Sequence, residues 1–296
     1  MTDKAVIAYP ASHDARDWLR FVSVQLAEKL PDTAMHEARL LLALAVGREA
    51  PVLTHEDIHL DSAARKVLAS VIDARLSGVP FSRLRGWREF YGLRFRLNAD
   101  TLDPRPDSEV LVASAVAFAG QMGWQDTTIS IADFGTGSGC LLLSCLHELP
   151  LATGLGLDVS AGAVKQAKDN ADTLGLSARA EFLQSDWDAE LQSERFHIIL
   201  SNPPYIETGA YDSLADEVRL HDPHRALFAG TDGLQDYRKL MPMIAARLKI
   251  SGRAFIELGF GQVGAVSALA QAAGLHIDSV QNDLAGIARC LILKHG

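Results

Sequence analysis

The sequence predicts an α/β fold whose mostly parallel sheet is preceded by a small helical bundle. Three observations lead to this prediction. Short apolar runs typical of buried strands alternate with helical patterns from residue 129 onward. A glycine-rich turn joins the first of these runs to an apolar helix. Before residue 78 the apolar residues follow helical spacing alone.

The N-terminal part, residues 1–78, carries three helical patterns. They cover residues 14–30, residues 33–46 and residues 61–78, and the third ends at a glycine. We expect these segments to form a helical domain, because each has one apolar face that must be buried against the others. The apolar positions at helical spacing are Trp18, Val22, Leu26, Leu30, Met35, Ala38, Leu41, Leu42, Ala45, Val67, Val71 and Ile72.

The pattern of residues 79–104 predicts a β-hairpin that links the bundle to the rest of the chain. Apolar and charged residues alternate from Phe90 to Leu97, which is the period of a strand with one buried face. Beyond the hairpin, Pro106 and Asp107 open a helix that we expect to run through Val116.

Residues 105–296 show the alternation of helices and strands that is typical of a single large sheet. The last two predicted strands have little sequence between them, so we expect the final strand to be antiparallel. The strands are predicted at residues 129–134, 153–158, 180–184, 196–201, 253–258, 276–281 and 288–293.

The first strand leads into a glycine turn and the N-terminus of a helix, which together favour binding of an anion or a nucleotide. The turn consists of Gly135, Thr136, Gly137, Ser138 and Gly139. Asp158 ends the next strand 19 residues beyond Gly139, where a carboxylate commonly grips ribose hydroxyls. The spacing G-x-G-x-G differs from the G-x-G-x-x-G of pyrophosphate sites. S-adenosylmethionine therefore fits better than NAD.

Asn202-Pro203-Pro204-Tyr205 follows the strand at residues 196–201. Two prolines make the segment rigid and leave carbonyl groups free, while Asn202 adds a further acceptor and Tyr205 a flat ring. Such a segment can hold a planar –NH2 group by both hydrogens. That contact turns the nitrogen lone pair out of conjugation and towards an electrophile.

Three further residues border the predicted cofactor cleft. Asp133 ends the first strand, where it can accept the ammonium group of the cofactor or hydrogen-bond the glycine turn, and both alternatives stay open. Asp186 and Trp187 follow the third strand, where we expect the indole to contact an adenine ring.

These motifs resemble those of Rossmann-like (class I) methyltransferases that act on planar exocyclic nitrogens. Within that class, the chain resembles the glutamine-N5 methyltransferases of peptide chain release factors, the PrmC or HemK family. Asp103 departs from the family pattern, which usually has an apolar residue there, and this leaves the local strand packing open. The stretches that carry the narrower resemblance are Arg88–Gly92, Pro104–Glu109, Ser185–Trp187, Gly230–Leu234 and Glu257–Gln262.

The resemblance implies methylation of the glutamine in the Gly-Gly-Gln tip of release factors, with S-adenosylmethionine as cofactor and residues 1–78 recognising the substrate. It implies that the glycine turn, Asp158 and Trp187 contact the cofactor and that Asn202 to Tyr205 bind the glutamine. Asn202 is expected to border the cofactor as well. Arg105 and Glu109 either brace the mouth of the site or form a simple surface pair.

Three alternatives remain: a glutamine methyltransferase of a ribosomal protein, a nucleic-acid adenine-N6 methyltransferase, and a cofactor-binding module without activity. A net charge of −9 and a pI near 5.5 disfavour stable nucleic-acid binding. A local excess of arginine runs against this balance and is either solvated surface or a docking face for an acidic partner or RNA. It consists of Arg75, Arg83, Arg85, Arg88, Arg94, Arg96 and Arg105.

The three cysteines, Cys140, Cys145 and Cys290, form no C-x-x-C pair and are expected to be reduced thiols in a cytoplasmic protein. The N-terminus lacks an apolar signal core and no apolar run reaches 18 residues, so we expect no membrane association.

Two motif matches are expected to be structural. His55-Glu56-Asp57-Ile58-His59 matches the zinc protease pattern, but the flanking Pro51 and Asp61 leave too little room for the helix that this site needs. We therefore expect no metal site. Gly259-Phe260-Gly261-Gln262-Val263-Gly264 matches a dinucleotide motif, but too few residues follow it for a dinucleotide domain, and a tight turn is expected.

Overall fold

The computed structural model describes residues 9–187, 191 and 193–296. The chain divides into two compact units, Met1–Arg85 and Gly86–Gly296. Residues 1–8 of the predicted bundle, which also carry the expectation about a signal core, lie outside the described residues. The assignment of separate roles to residues 1–78, 79–104 and 105–296 stays a prediction.

The first unit is a helical bundle, as the apolar spacing predicts, but Met35 and Val67 are 44% and 43% exposed and do not join its core. Two of its helices begin at an aspartate cap: Asp14 accepts a hydrogen bond from the Arg16 amide, and Asp61 accepts one from the Ala64 amide. Trp18 is fully buried in its apolar core. The helices are α1 (Ala15–Leu26), α2 (Ala34–Ala45), α3 (Ser62–Leu76) and α4 (Phe81–Arg85).

A buried ion pair joins two helices of this bundle. The Nε and Nη2 atoms of Arg75 donate to the carboxylate of Glu37 at 3.0 and 3.1 Å, and Nη1 donates to the Val79 carbonyl. Only 6% of the Arg75 side chain is exposed. The expectation that Arg75 belongs to a solvated or docking surface is therefore wrong, because its guanidinium is used inside the bundle.

The second unit opens with the hairpin β1 (Trp87–Phe90) and β2 (Leu93–Arg96). Tyr91 and Gly92 form the turn, with φ of 50° and 73°, which suits the twist of a two-residue hairpin loop. The strand character predicted from Phe90 to Leu97 is thus divided by a turn. Phe90 and Phe95 are buried, whereas Arg94 lies over the ring of Trp87.

Seven strands form the main sheet, and the sequence located all of them. Their spatial order is β5-β4-β3-β6-β7-β9-β8. The first five run parallel, and β9 pairs antiparallel with both of its neighbours. The predicted antiparallel last strand is confirmed. The strands are β3 (Ser130–Phe134), β4 (Thr153–Asp158), β5 (Ala180–Gln184), β6 (Phe196–Ser201), β7 (Leu248–Glu257), β8 (Leu275–Asn282) and β9 (Ala288–His295).

Helices cover both faces of the sheet, and each face has its own apolar core. The helix predicted to end at Val116 continues to Gln121 and is preceded by a 3-10 turn at Pro106–Ser108. Among the described residues, no helix has the length and apolar character needed to cross a membrane. The helices of this unit are α5 (Glu109–Gln121), α6 (Cys140–Glu148), α7 (Ala161–Thr173), α8 (Asp216–Arg219), α9 (Gln235–Arg247) and α10 (Val263–Ala272), with further 3-10 turns at Thr208–Ser213 and His224–Ala226.

We predict that Arg75→Ala destabilises the helical bundle by about 3–5 kcal/mol, because it leaves the Glu37 carboxylate buried without its cation. Hydrogen exchange followed by mass spectrometry checks this: peptides from α2 and α3 should exchange faster. Arg16→Ala is the matched control, since the Arg16–Asp14 pair is exposed and its loss should leave exchange unchanged. Equal exchange in Arg75→Ala and wild type would contradict the assignment.

Candidate active site

A crevice opens at the carboxyl ends of β3 and β6. These strands are neighbours in the sheet, but the chain leaves β3 towards β4 and returns to the other side through β6. Crevices at such switch points bind ligands in open α/β sheets. Here the crevice holds a cavity of about 270 Å³. Of the predicted site residues, those lining it are Gly135, Thr136, Gly137, Ser138, Asp158, Asp186, Trp187, Asn202 and Pro204.

The glycines of the turn after β3 have two different roles. Gly135 and Gly137 have φ of 77° and 55°, and no atom lies within 4 Å of where a Cβ would stand. Their backbone therefore offers an open surface to the cavity. Gly139 does not line the cavity: it caps α6, and a Cβ there would crowd Leu143 and Ala167. Its contribution is close packing between elements.

Asp133 is fully buried beneath the glycine turn and does not line the cavity. Its Oδ2 accepts a hydrogen bond from the Thr136 hydroxyl at 2.7 Å, so the hydrogen bond to the turn is present. Its Oδ1 has no partner among the described residues. Burial raises the pKa of Asp133 to about 7. Contact with a cofactor ammonium group stays a prediction.

Asp158 braces the turn from the end of β4. Its Oδ2 accepts from the Gly137 amide and its Oδ1 from the Ser160 amide, both at 2.9 Å. Burial raises the pKa of Asp158, and these two hydrogen bonds oppose that rise. Each carboxylate oxygen retains a second lone pair. The predicted grip on ribose hydroxyls is therefore compatible with the bracing, and it stays a prediction.

Trp187 lies at the cavity wall with a φ of 58°. A positive φ is unusual for a bulky residue and costs on the order of 1–3 kcal/mol, so the surroundings must hold it in place. Such strain clusters at functional sites. Adenine contact by this indole stays a prediction.

Asn202 to Tyr205 form a rigid support directly after β6. The Ser201 hydroxyl donates to the Phe134 carbonyl at 2.7 Å, which ties the ends of β6 and β3 together. Pro203 is buried, and neither Pro203 nor Tyr205 lines the cavity. The Asn202 side chain does line it.

The second glycine motif supports this segment. Residues 259–262 form a tight turn between β7 and α10, as predicted. The Gln262 side chain accepts from the Gly259 amide and donates to the Tyr205 carbonyl at 3.0 Å. A side chain at Gly233 or Gly259 would collide with Tyr205. The glycines of both stretches therefore allow close approach to the Asn-Pro-Pro-Tyr segment.

Ser108 and Glu257 belong to the site, although neither was nominated from the sequence. The Ser108 hydroxyl donates to Glu257 Oε2 at 2.5 Å, and the Tyr205 hydroxyl donates to Oε1 at 3.2 Å. Only 1% of Glu257 is exposed. Burial raises its pKa to about 7, against the effects of these hydrogen bonds and of the nearby Arg289 cation. One sequence signal could have identified Glu257. It is a glutamate within a predicted apolar strand, and a glutamate is rarely buried without a partner.

The structure separates Arg105 from Glu109, which do not form a pair. Arg105 forms a salt bridge of 2.5 Å with the buried Asp222, and Glu109 accepts from the Tyr91 amide. Asp103 is buried. Its backbone amide donates to the Asp222 carboxylate, and its own carboxylate lies 3.8 Å from the Arg88 guanidinium. The charged side chain at this position is therefore buried beside the Arg88 guanidinium.

Four further charged residues line the cavity that were not nominated from the sequence: Asp100, Arg225, Asp236 and Lys239. Together with the predicted Asp158 and Asp186 they give the described lining four carboxylates and two cations, so it is predominantly acidic. The four come from three separate segments of the chain, and only folding brings those segments to one cavity.

The zinc-like motif does not form a helix. Residues 55–59 form a turn and a bridge, and Glu56 pairs with Arg48 at 2.6 Å. His59 instead stacks on His13, with ring centroids 5.0 Å apart. Across residues 9–187, 191 and 193–296, no group of three or more His, Cys, Asp or Glu side chains has the arrangement of a metal site.

Comparison with known proteins follows the same division of the chain. Residues 17–86 match the family model described as PrmC N-terminal domain, and residues 115–230 match Methyltransferase small domain. The release factor glutamine methyltransferase of Bradyrhizobium diazoefficiens is 41% identical over 92% of both chains. That of Cereibacter sphaeroides is 40% identical over 92% of this chain and 95% of its own.

Solved structures support the fold. The catalytic domain of hMettl16, in complex with a hairpin of the MAT2A 3′ UTR, has a TM-score of 0.54. It is 15% identical and covers 69% of this chain and 76% of its own. At this identity the likeness shows a methyltransferase-type fold and nothing about the substrate.

We predict that Glu257 makes folding stability fall as pH rises from about 4.5 to about 7. The folded protein holds the Glu257 proton more tightly than the unfolded chain does, so stability present below pH 4.5 is lost by the time the folded carboxyl ionises. Across this window wild type should lose on the order of 3 kcal/mol more than Glu257→Gln, which cannot titrate.

Urea denaturation of both proteins at about pH 5 and about pH 8 measures this difference. The contribution of Asp133 is common to both proteins and cancels. The exposed Glu181→Gln substitution is the control and should retain the wild-type pH dependence. An identical pH dependence in Glu257→Gln and wild type would show that the Glu257 pKa is not raised.

Proposed function

Since the chain belongs to the family of release factor glutamine methyltransferases, we propose that it methylates the side-chain amide nitrogen (N5) of a glutamine in peptide chain release factors. The methyl donor is S-adenosylmethionine. The target is the glutamine of the Gly-Gly-Gln motif. One observation carries the proposal: the Asn202 amide opens into the same cavity as the glycine turn.

The cavity residues fit S-adenosylmethionine. The glycine turn offers open backbone at Gly135 and Gly137, next to the N-terminus of α6. The acidic lining suits a ligand that carries ammonium and sulfonium charges, whereas Asp133 lies beneath the turn and does not line the cavity. We assign Asp158 to hold the ribose, and Asp186 and Trp187 to flank the adenine. When bound, the cofactor supplies a methyl group on a cationic sulfur, which departs as a neutral thioether.

The chain provides hydrogen-bond acceptors for the substrate amide. The Asn202 side chain lines the cavity, and we assign its Oδ1 atom to one N–H bond of the amide. We assign the Pro203 carbonyl to the second N–H bond and the Tyr205 ring to the amide plane, although neither residue lines the cavity. Two acceptors withdraw the nitrogen lone pair from the amide π-system and stabilise the positive charge that develops on nitrogen. Pro203 and Pro204 hold the acceptors rigidly, so little reorganisation is needed during the reaction.

No general base is assigned to the reaction. The amide nitrogen becomes acidic only after it is alkylated, so its proton can leave to water afterwards. Burial raises the pKa of Tyr205, so its hydroxyl stays protonated and continues to donate to Glu257. The proposed role of Tyr205 is therefore to pack against the substrate amide, and not to remove a proton.

The first unit is proposed to recognise the protein substrate. The match of residues 17–86 to an N-terminal domain of this enzyme family supports this role. Three free cysteines suit a reducing compartment, and we place the reaction in the cytoplasm, where translation takes place. The acidic chain is expected to bind the release factor rather than nucleic acid.

We predict that Asn202→Ala lowers turnover about 10²–10³-fold, by analogy with the loss of one oriented contact in an oxyanion hole. Cofactor affinity should stay close to that of wild type. Turnover is measured by mass spectrometry of purified release factor after incubation with the enzyme and S-adenosylmethionine. Wild-type enzyme should add one methyl group to the glutamine of Gly-Gly-Gln. Asn282→Ala, on the exposed edge of β8, is the control. An unmodified release factor with wild-type enzyme would direct the search to ribosomal proteins.

We predict that Asp158→Ala, unlike Asn202→Ala, mainly weakens the binding of S-adenosylmethionine. Each lost hydrogen bond to a charged group is worth about 1.5–3 kcal/mol, which corresponds to roughly a 10–150-fold loss of affinity. Titration calorimetry with S-adenosylmethionine measures this loss. Asp169→Ala is the matched control, because the Asp169 side chain is 45% exposed and pairs with Lys165. Equal affinity in Asp158→Ala and wild type would remove Asp158 from the cofactor site.

A further inference from the structure

A chain of three side chains runs from the substrate-facing amide to the interior. The Asn202 Nδ2 atom donates to Ser108 Oγ at 3.3 Å, and Ser108 Oγ donates to Glu257 Oε2 at 2.5 Å. The three residues come from the end of β6, the 3-10 turn before α5, and the end of β7. Ser108 and Glu257 are only 3% and 1% exposed, so water does not substitute for these contacts.

When Glu257 is ionised, proton count fixes the direction of these hydrogen bonds. A carboxylate can only accept, and a serine hydroxyl has one proton. When Ser108 gives that proton to ionised Glu257, its oxygen can only accept from Asn202. The Asn202 side chain must therefore turn its –NH2 towards Ser108, since the opposite orientation would place two acceptor oxygens against each other.

This orientation leaves Asn202 Oδ1 on the other side of the amide. Among the described residues no hydrogen bond reaches that atom. Oδ1 is also the acceptor that the proposed reaction requires. A flipped amide would present a donor to the N–H groups of the substrate and would lose the contact.

We propose that Ser108 and Glu257 are positioning residues that fix the side-chain amide of Asn202 with its oxygen towards the substrate. The proposal rests on the proposed function for the identity of the substrate. Glu257 also accepts from the Tyr205 hydroxyl, so one buried carboxylate orients both ends of the Asn-Pro-Pro-Tyr segment. Neither residue takes part in bond formation.

A double-mutant cycle tests whether Ser108 acts through Asn202. At about pH 8, where Glu257 is ionised, Ser108→Ala should lower kcat about tenfold. The KM for release factor and the affinity for S-adenosylmethionine should change by less than about threefold. In the Asn202→Ala background, Ser108→Ala should cost less than about threefold in kcat, because the group it positions is already absent. The same loss in both backgrounds would overturn the proposal.

Two variants separate positioning from general damage. Ser108→Thr retains the hydroxyl and should restore most of the turnover that Ser108→Ala loses. Ser144→Ala removes another fully buried serine hydroxyl, on α6 and outside this chain of contacts, and should leave kcat unchanged. A Ser108→Thr enzyme as slow as Ser108→Ala would count against the role of the hydroxyl.

A measurement on the protein alone keeps this inference separate from the proposed function. In NMR spectra, the side-chain amide resonances of Asn202 should shift in Ser108→Ala and stay in place in Ser144→Ala. Unchanged resonances in Ser108→Ala would overturn the positioning role, whatever the substrate. A shift together with a wild-type enzyme that does not modify release factor would preserve the positioning role and reject the proposed substrate.

Discussion

The crevice between β3 and β6 is the constraint on which the rest of the site depends. The sheet begins at its centre with β3 and grows first to one side and then to the other, so the segments that follow β3 and β6 leave in different directions. Their carboxyl ends stay fixed to each other through the bond from Ser201 to the Phe134 carbonyl. The glycine turn and the Asn-Pro-Pro-Tyr segment must therefore face one shared cavity.

Close approach of backbone segments shapes this cavity more than large side chains do. A Cβ at Gly156 would collide with Phe182 and with the Thr136 hydroxyl, which reaches back to Asp133. Gly233 and Gly259 similarly admit Tyr205. These glycines keep the supporting layers in contact, so the polar groups of the site have little freedom to move. Rigid placement is what oriented hydrogen bonding to an amide requires.

Buried carboxylates give the site its orientation and cost it stability. Asp133 lies in β3 and Glu257 ends β7, and burial raises the pKa of each to about 7. A charge held in such surroundings is unfavourable by itself, but it makes each hydrogen bond to it directional and strong. The Glu257 carboxylate accepts such hydrogen bonds from the Ser108 and Tyr205 hydroxyls. A conflict between local stability and function is common at active sites.

The sequence by itself determined the fold class, the positions of all seven sheet strands and the two segments at the heart of the cavity. It could do so because strand periodicity, glycine turns and paired prolines are local properties that neighbouring residues impose on one another. Tertiary structure alone decided that Ser108 links Asn202 to Glu257, that Arg75 is buried, and that Arg225 and Lys239 border the cavity. Contacts between residues that are distant in sequence depend on how the helices pack on the sheet, and local sequence patterns do not predict that packing.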